Sequence, residues 1–171
     1  MKILLTGATG YIGQRLIPVL LDEGHEVICC VRDKARFVAE KYRSGALSVI
    51  ETDFLKPSTL QSIPLDIDAA YYLIHSMSSS KGDFGKMEEI SAVNFRDRIQ
   101  ETAARQVIYL SGIVNEAVLS KHLSSRRNVE EILGSGTYSA DLWTSINSQS
   151  FKMEGFVGAS FPASSYGYWR A

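Results

Sequence analysis

The chain has 171 residues, 45% hydrophobic and 22% charged, the balance of one globular domain able to bury a core of useful size. A formal net charge of −1 gives no support to a nucleic-acid binder or to a protein held on anionic lipid by charge. The only cysteines, Cys29 and Cys30, are adjacent and unsuited to a disulfide framework, and the apolar run after Met1 is too short for a signal peptide or membrane span; a cytoplasmic protein is the expectation.

Lys2 to Leu5 reads as a buried strand. Tyr11 to Glu23 reads as a helix with Ile12, Leu16, Val19 and Leu20 on one face and Gly24 as its stop. A second strand covers Glu26 to Val31, and Asp33 caps an expected helix through Arg43. Leu47 to Ile50 is a third strand ending at Thr52-Asp53, and Pro57 to Leu60 starts a short helix. "AAYYLI", Ala69 to Ile74, is a fourth strand, followed by a Ser/Gly-rich loop. Lys86 to Ala104 is a long helix, Gln106 to Leu110 a fifth strand, and His122 to Leu133 a further helix stopped by Gly134. Unbroken apolar strands alternating with helices imply a doubly wound parallel α/β sheet of the Rossmann type, in strand order 3-2-1-4-5, with ligands at the strands' carboxyl ends.

"LLTGATGYIG" places Gly7, Gly10 and Gly13 between the first strand and the first helix. One glycine can take a positive φ in the tight turn, a second lets a pyrophosphate approach the backbone, and a third lets the helix pack on the sheet. The free N–H groups and positive dipole end of the helix complete an anion site. The spacing is G-x-x-G-x-x-G; the alternative is a tight βα turn without a ligand. After the second strand, Arg32 suits a ribose 2′-phosphate, with Lys34 or Arg36 adding charge, and NADP is favoured. Asp33 keeps NAD possible, unless it serves only as a helix cap.

"TGATGYIG", "VRD", "TDF", "AAYYLIHSM" and "YLSGI" together resemble the short-chain dehydrogenase/reductase superfamily, in particular its atypical, NmrA-like or epimerase-like NAD(P)-binding members, over about residues 1–133. The resemblance implies that Gly7, Thr9, Gly10, Tyr11, Ile12 and Gly13 line the pyrophosphate. It implies that Arg32 holds the adenosine phosphate, that Asp53 and Phe54 border the adenine, and that Leu73, Ile74 and His75 follow the cofactor toward the nicotinamide. Ser111 takes the place of the active-site serine or threonine. His75 reads equally as a strand-end polar residue, Ser111 as a turn residue before Gly112, and Asn94 as either a site organiser or a solvent-facing helical asparagine.

Reductases of this superfamily pair that serine with Tyr-x-x-x-Lys on the next helix. Here the stretch is "KHLSSRRNVEEIL", which puts His122 and Arg126 at those places. A histidine moves protons near neutral pH, whereas an arginine stays charged, so ordinary ketoreductase chemistry is not expected. The catalytic candidates are Ser111, His75 and His122, the last reading first as a helix-start residue and second as a proton donor. No His, Cys or carboxylate cluster has metal-site spacing, and no metal is expected.

The chain divides into a dinucleotide-binding unit, residues 1–136, and an atypical tail, residues 137–171, in which periodicity is lost. The tail shows no clear strand, so the sheet is expected to be incomplete at its C-terminal edge, the chain being either truncated or frame-shifted or a naturally short cofactor-binding module, and the fifth strand open to self-association unless the tail covers it. The expected function is NAD(P) binding with oxidoreductase or epimerase-like ancestry and little activity in this chain alone, on a small-molecule substrate that the sequence does not identify. The alternative is a non-catalytic NADP(H)-sensing regulatory protein.

Overall fold

Six parallel strands form one sheet in the order β3-β2-β1-β4-β5-β6, as the computed structural model shows over the residues it describes, 1–74, 84–111 and 121–144. The strands are β1 (Lys2–Leu5), β2 (Glu26–Val31), β3 (Leu47–Glu51), β4 (Ala69–Tyr72), β5 (Gln106–Ser111) and β6 (Ser139–Thr144). Helix α1 (Tyr11–Asp22) follows β1, α2 (Phe84–Gln100) lies between β4 and β5, and α3 (Lys121–Gly134) lies between β5 and β6. The strand order switches direction beside β1, whose neighbours are β2 and β4, and this is where an open α/β sheet offers a crevice at its carboxyl edge.

Period-two alternation along the strands divides the interior into two cores. Ile3, Leu5, Val27, Cys29, Val31 and Tyr71 face Leu16, Ile17 and Leu20 of α1. Leu4, Ile28, Cys30, Ala70, Tyr72, Val107 and Tyr109 face Ala92, Phe95 and Ile99 of α2 and Val129 and Leu133 of α3. Burial on both faces explains why these strands read as continuous apolar runs.

Three expectations need correction. The helix expected from Asp33 through Arg43 is two short 3-10 turns, Lys34–Arg36 and Ala39–Tyr42, with Phe37 extended between them. Phe37 and Tyr42 both pack against the α1-side core, their rings stacked with centroids 6.0 Å apart. On an α-helix, residues five apart point about 140° away from one another, so one helix could not deliver both rings to the sheet. Second, α2 ends at Gln100, four residues before the expected end, with Glu101 and Thr102 N–H groups closing onto the Arg98 and Ile99 carbonyls. Third, the expected tail supplies a strand: β6 pairs in parallel with β5 from Gln106↔Ser139 to Ser111↔Thr144. Tyr138, just before β6, is buried, and Ala140 packs on the α2/α3-side core. The order 3-2-1-4-5 is observed with one more strand beyond it, and the edge of β5 is covered by the tail's own strand.

Candidate functional site

The turn after β1 is assembled from its own backbone. Gly7 adopts φ +64°, and the Gly10 N–H donates to the Gly7 carbonyl oxygen at 2.9 Å. A Cβ on Gly7 would lie 2.6 Å from the Leu73 carbonyl oxygen, so the turn sits directly against the chain leaving β4. A Cβ on Gly13 would lie 2.3 Å from the Gly7 carbonyl oxygen and 2.9 Å from the Ala8 Cα; this glycine is where helix and turn meet. Gly10 differs: a Cβ there meets only the Gly7 oxygen, at 3.2 Å, and the residue is exposed. Two of the three glycines thus answer a packing demand, and Gly10 is the one that leaves the outer face of the turn bare.

Gly10 is the N-cap of α1 and no side chain caps the helix. The first helical bond runs from the Gln14 N–H to the Gly10 carbonyl at 3.0 Å. The N–H groups of Tyr11, Ile12 and Gly13 therefore stand ahead of the helical ladder, with no acidic side chain in the first turn to oppose an anion. This is a cradle suited to a pyrophosphate. Around it, Thr9 is exposed, with its carbonyl accepting from Gln14 Nε2 at 2.8 Å, and Ile12 is half-buried. Tyr11 is 65% exposed, and the Arg15 guanidinium lies 3.5 Å from its ring centroid.

Thr6, which the sequence reading did not single out, locks this turn to the neighbouring strand. Its buried hydroxyl donates to the Tyr71 carbonyl at 3.0 Å and accepts from the Leu73 N–H at 2.9 Å. A hydroxyl-bearing β-branched residue directly before a βα glycine turn is a signal that could have found it. Leu73 and Ile74 are half-buried and continue from β4 past the glycine turn. His75 lies outside the described residues. Ser111 is the last residue of β5 and His122 is in the first turn of α3, both by backbone position.

On the other flank, Arg32 is exposed immediately after β2. The Asp33 carboxylate is engaged: its Oδ1 accepts from the Ala35 N–H at 2.9 Å as the cap of the first 3-10 turn. The turn after β3 brings Asp53 to the same edge. Asp53 Oδ1 accepts from the Leu55 N–H at 3.1 Å, its N–H donates to Thr59 Oγ1 at 2.9 Å, and Lys56 Nζ lies 3.7 Å from Oδ2. Phe54 is 4% exposed and its ring packs on Phe95, so this residue can border a ligand only through its backbone. Asn94 is half-buried rather than solvent-facing, and its Nδ2 donates to the Phe54 carbonyl at 2.7 Å.

Between α2 and α3, Ser125 Oγ donates to the Glu88 carboxylate, and Tyr109 Oη donates to the Arg126 carbonyl at 3.4 Å. Burial pushes the Tyr109 phenol up to about 12, with the Arg126 charge pulling the other way and Glu88 and Glu130 adding to the rise. It stays protonated at neutral pH. Among the described residues, no group of three or more His, Cys, Asp or Glu side chains is gathered to hold a metal ion, and no helix is long and apolar enough to cross a membrane.

The fold and the cradle define a Rossmann-type dinucleotide-binding domain: the glycine turn, the ends of β2, β3 and β4 and the head of α1 converge at one edge of the sheet. The family described as NAD(P)H-binding matches residues 7–142, and the chain belongs to it. Photosystem II assembly factor Ycf39 of Synechocystis sp. is 24% identical over 113 residues, covering 65% of this chain and 33% of that protein. The chain thus matches about a third of that relative's length. Among solved structures, a nucleoside-diphosphate-sugar epimerase from Staphylococcus aureus superposes with a TM-score of 0.70 at 16% identity, covering 84% of this chain and 50% of that one. The Citrobacter sp. triphenylmethane reductase complexed with NADP(H) gives 0.67 at 16% identity, covering 83% and 48%. At these identities the likeness is one of fold, and it agrees with the resemblance to atypical short-chain dehydrogenases/reductases.

Proposed function

We propose that the chain binds NADP(H) in preference to NAD(H), with Arg32 on the adenosine 2′-phosphate and the amides of Tyr11, Ile12 and Gly13 on the pyrophosphate. The observation that carries this reading is the division of labour after β2. Asp33, the residue that would favour a free ribose hydroxyl, spends its Oδ1 on the Ala35 N–H, while the adjacent Arg32 is exposed. A planar guanidinium matches a phosphate, and such a charge-assisted contact contributes about 1.5–3 kcal/mol. The bound dinucleotide would supply hydride chemistry at its nicotinamide. Leu73 and Ile74, with His75 and Ser111, would flank that end, where a small-molecule substrate would react.

Carbonyl reduction by this chain alone is expected to be weak. His122 and Arg126 stand where a tyrosine–lysine pair would move the proton, and losing such general acid catalysis costs about 10²- to 10⁴-fold. That substitution favours a second reading, a non-catalytic NADP(H)-sensing protein. The test is a fluorescence titration of the unsubstituted chain and of Arg32→Ala with NADPH and NADH. The expected result is tighter NADPH binding that falls about tenfold or more in the variant, with NADH binding unchanged. Equal affinities for the two cofactors in the unsubstituted chain would overturn the preference and return the role to Asp33. A panel of aldehydes, ketones and quinones with NADPH separates the readings: rapid oxidation that is lost in Ser111→Ala or His122→Ala shows a working enzyme.

A further inference from the structure

We propose that Asn94 is a positioning residue for the adenine side of the site, acting on the Asp53 carboxylate through the peptide between Phe54 and Leu55. The inference rests on the dinucleotide reading above.

Three hydrogen-bonded links make the connection. Asn94 Nδ2 donates to the Phe54 carbonyl oxygen at 2.7 Å. That carbonyl and the Leu55 N–H belong to one peptide group, which is planar, so fixing one fixes the other. The Leu55 N–H donates to Asp53 Oδ1 at 3.1 Å. A donor on α2 therefore sets the plane of the peptide that holds the carboxylate. Accepting a bond at the carbonyl also strengthens the N–H of the same peptide as a donor.

The rest of the turn is fastened elsewhere. Thr59 Oγ1 takes the Asp53 N–H at 2.9 Å and lies 3.0 Å from the Asp53 carbonyl, which also accepts the Lys56 N–H at 2.7 Å. These bonds hold the 53 backbone from the side of Pro57–Ser62. The 54–55 peptide is gripped from α2, through Asn94. The seat of Asn94 is rigid, because the adjacent Phe95 ring packs on Phe54 at 5.6 Å and on Tyr72 at 4.8 Å. With the Asn94 donor gone, that peptide is free to tilt and the carboxylate loses its fixed orientation, while the Thr59 bonds and the ring packing remain. The result is a misaimed carboxylate in a turn that is still folded.

A purely structural asparagine would weaken folding without preferring one half of the ligand, and the experiment exploits this difference. Titrate the unsubstituted chain, Asn94→Ala, Asp53→Ala and the double variant with two probes, ADP-ribose and reduced nicotinamide mononucleotide, and record Tm for each. In Asn94→Ala we expect ADP-ribose affinity to fall about fivefold to tenfold and nicotinamide mononucleotide affinity to stay within about twofold. In the Asp53→Ala background the Asn94 effect on ADP-ribose should vanish, since the carboxylate it positions is absent. Equal losses for both probes, unchanged ADP-ribose affinity, or losses that add independently of Asp53 would overturn the proposal. If Asn94→Ala does not fold, Asn94→Asp, of the same shape without the donor, takes its place; failure of both to fold assigns Asn94 to folding and overturns the proposal too. An unsubstituted chain that binds NADPH but shows these contrary results loses only this inference, whereas one that binds neither NADPH nor ADP-ribose loses the dinucleotide reading, and this inference with it.

Discussion

Replacing Gly13 by alanine adds a single methyl group at the most crowded point of the glycine turn. The new Cβ would lie 2.3 Å from the Gly7 carbonyl oxygen and 2.9 Å from the Ala8 Cα, and both neighbours are backbone. About 1 Å has to be recovered to reach ordinary contact, and no flexible side chain can yield it; overpacking of this kind costs about 1–3 kcal/mol. For a domain of this size each kcal/mol lowers Tm by about 2–4 °C, so a fall of several degrees is expected. The relief has to come from moving Gly7 or the head of α1. Gly7 is itself pressed on the Leu73 carbonyl, so the helix moves and its free amides leave their alignment. NADPH affinity should therefore fall by more than the loss of stability alone accounts for. Gly10→Ala is the internal control: its Cβ meets one atom at 3.2 Å, so Tm should change little while the methyl group intrudes on the ligand side. Differential scanning fluorimetry and NADPH titration of both variants make the comparison. A Gly13→Ala chain with unaltered Tm and unaltered affinity would refute the account of the turn.

Three further outcomes follow from the burial and bonding described above. Thr6→Val keeps the shape of a buried side chain but leaves the Leu73 N–H without its acceptor, and urea unfolding should show a loss of about 1–3 kcal/mol. The thiols of Cys29 and Cys30 are buried, and burial pushes both pKa values up, Cys29 to about 12, so iodoacetamide at pH 8 should label neither in the native protein and both in urea; rapid native labelling would contradict the placement of β2. Burial lowers the His25 pKa, the Met1 ammonium adds to the fall and Glu23 opposes it. The unfolded chain then binds more protons between the folded value and the ordinary value near 6.5, so stability is fully present above that window and is lost as pH falls through it. His25→Gln should flatten this part of the pH profile of the urea midpoint, and identical slopes in the two proteins would refute it.

The parts of this fold legible in the sequence are those in which local pattern and tertiary burial agree. The apolar runs of β1, β2, β4 and β5 are strands covered on both faces, the edge strand β3 is half-buried with Ser48 and Glu51 exposed, and the glycine turn is legible by its spacing. What was missed has specific causes. The segment after β2 has helix-compatible composition, but Phe37 and Tyr42 must reach the same core from positions five apart, a demand visible only once the sheet exists. Strand β6 reads "SADLWT", with no apolar run, and its pairing with β5 supplies the order that its own pattern does not. In the site, Arg32 and Asp33 were legible as a choice, and the Ala35 N–H bond is the tertiary detail that weights it. The resemblance puts Phe54 at the adenine border with Asp53, and the structure adds that its ring is buried in the core against Phe95. Asn94 was open between two roles because nothing local tells a helical asparagine which carbonyl lies across from it.

The neighbouring thiols on β2 give the molecule a pair of internal reporters. Adjacent residues of a strand point to opposite sides, so Cys29 is buried in the core beneath α1 while Cys30 is buried in the core of the opposite face, to which α2 and α3 also contribute. Their timing of exposure reads the two layers separately, from one peptide after digestion. Because a single sheet is the floor of both layers, shedding α1 and shedding the α2–α3 pair are not independent events. The two thiols should become reactive over the same range of denaturant, the behaviour of one cooperative unit rather than of two layers that melt in turn.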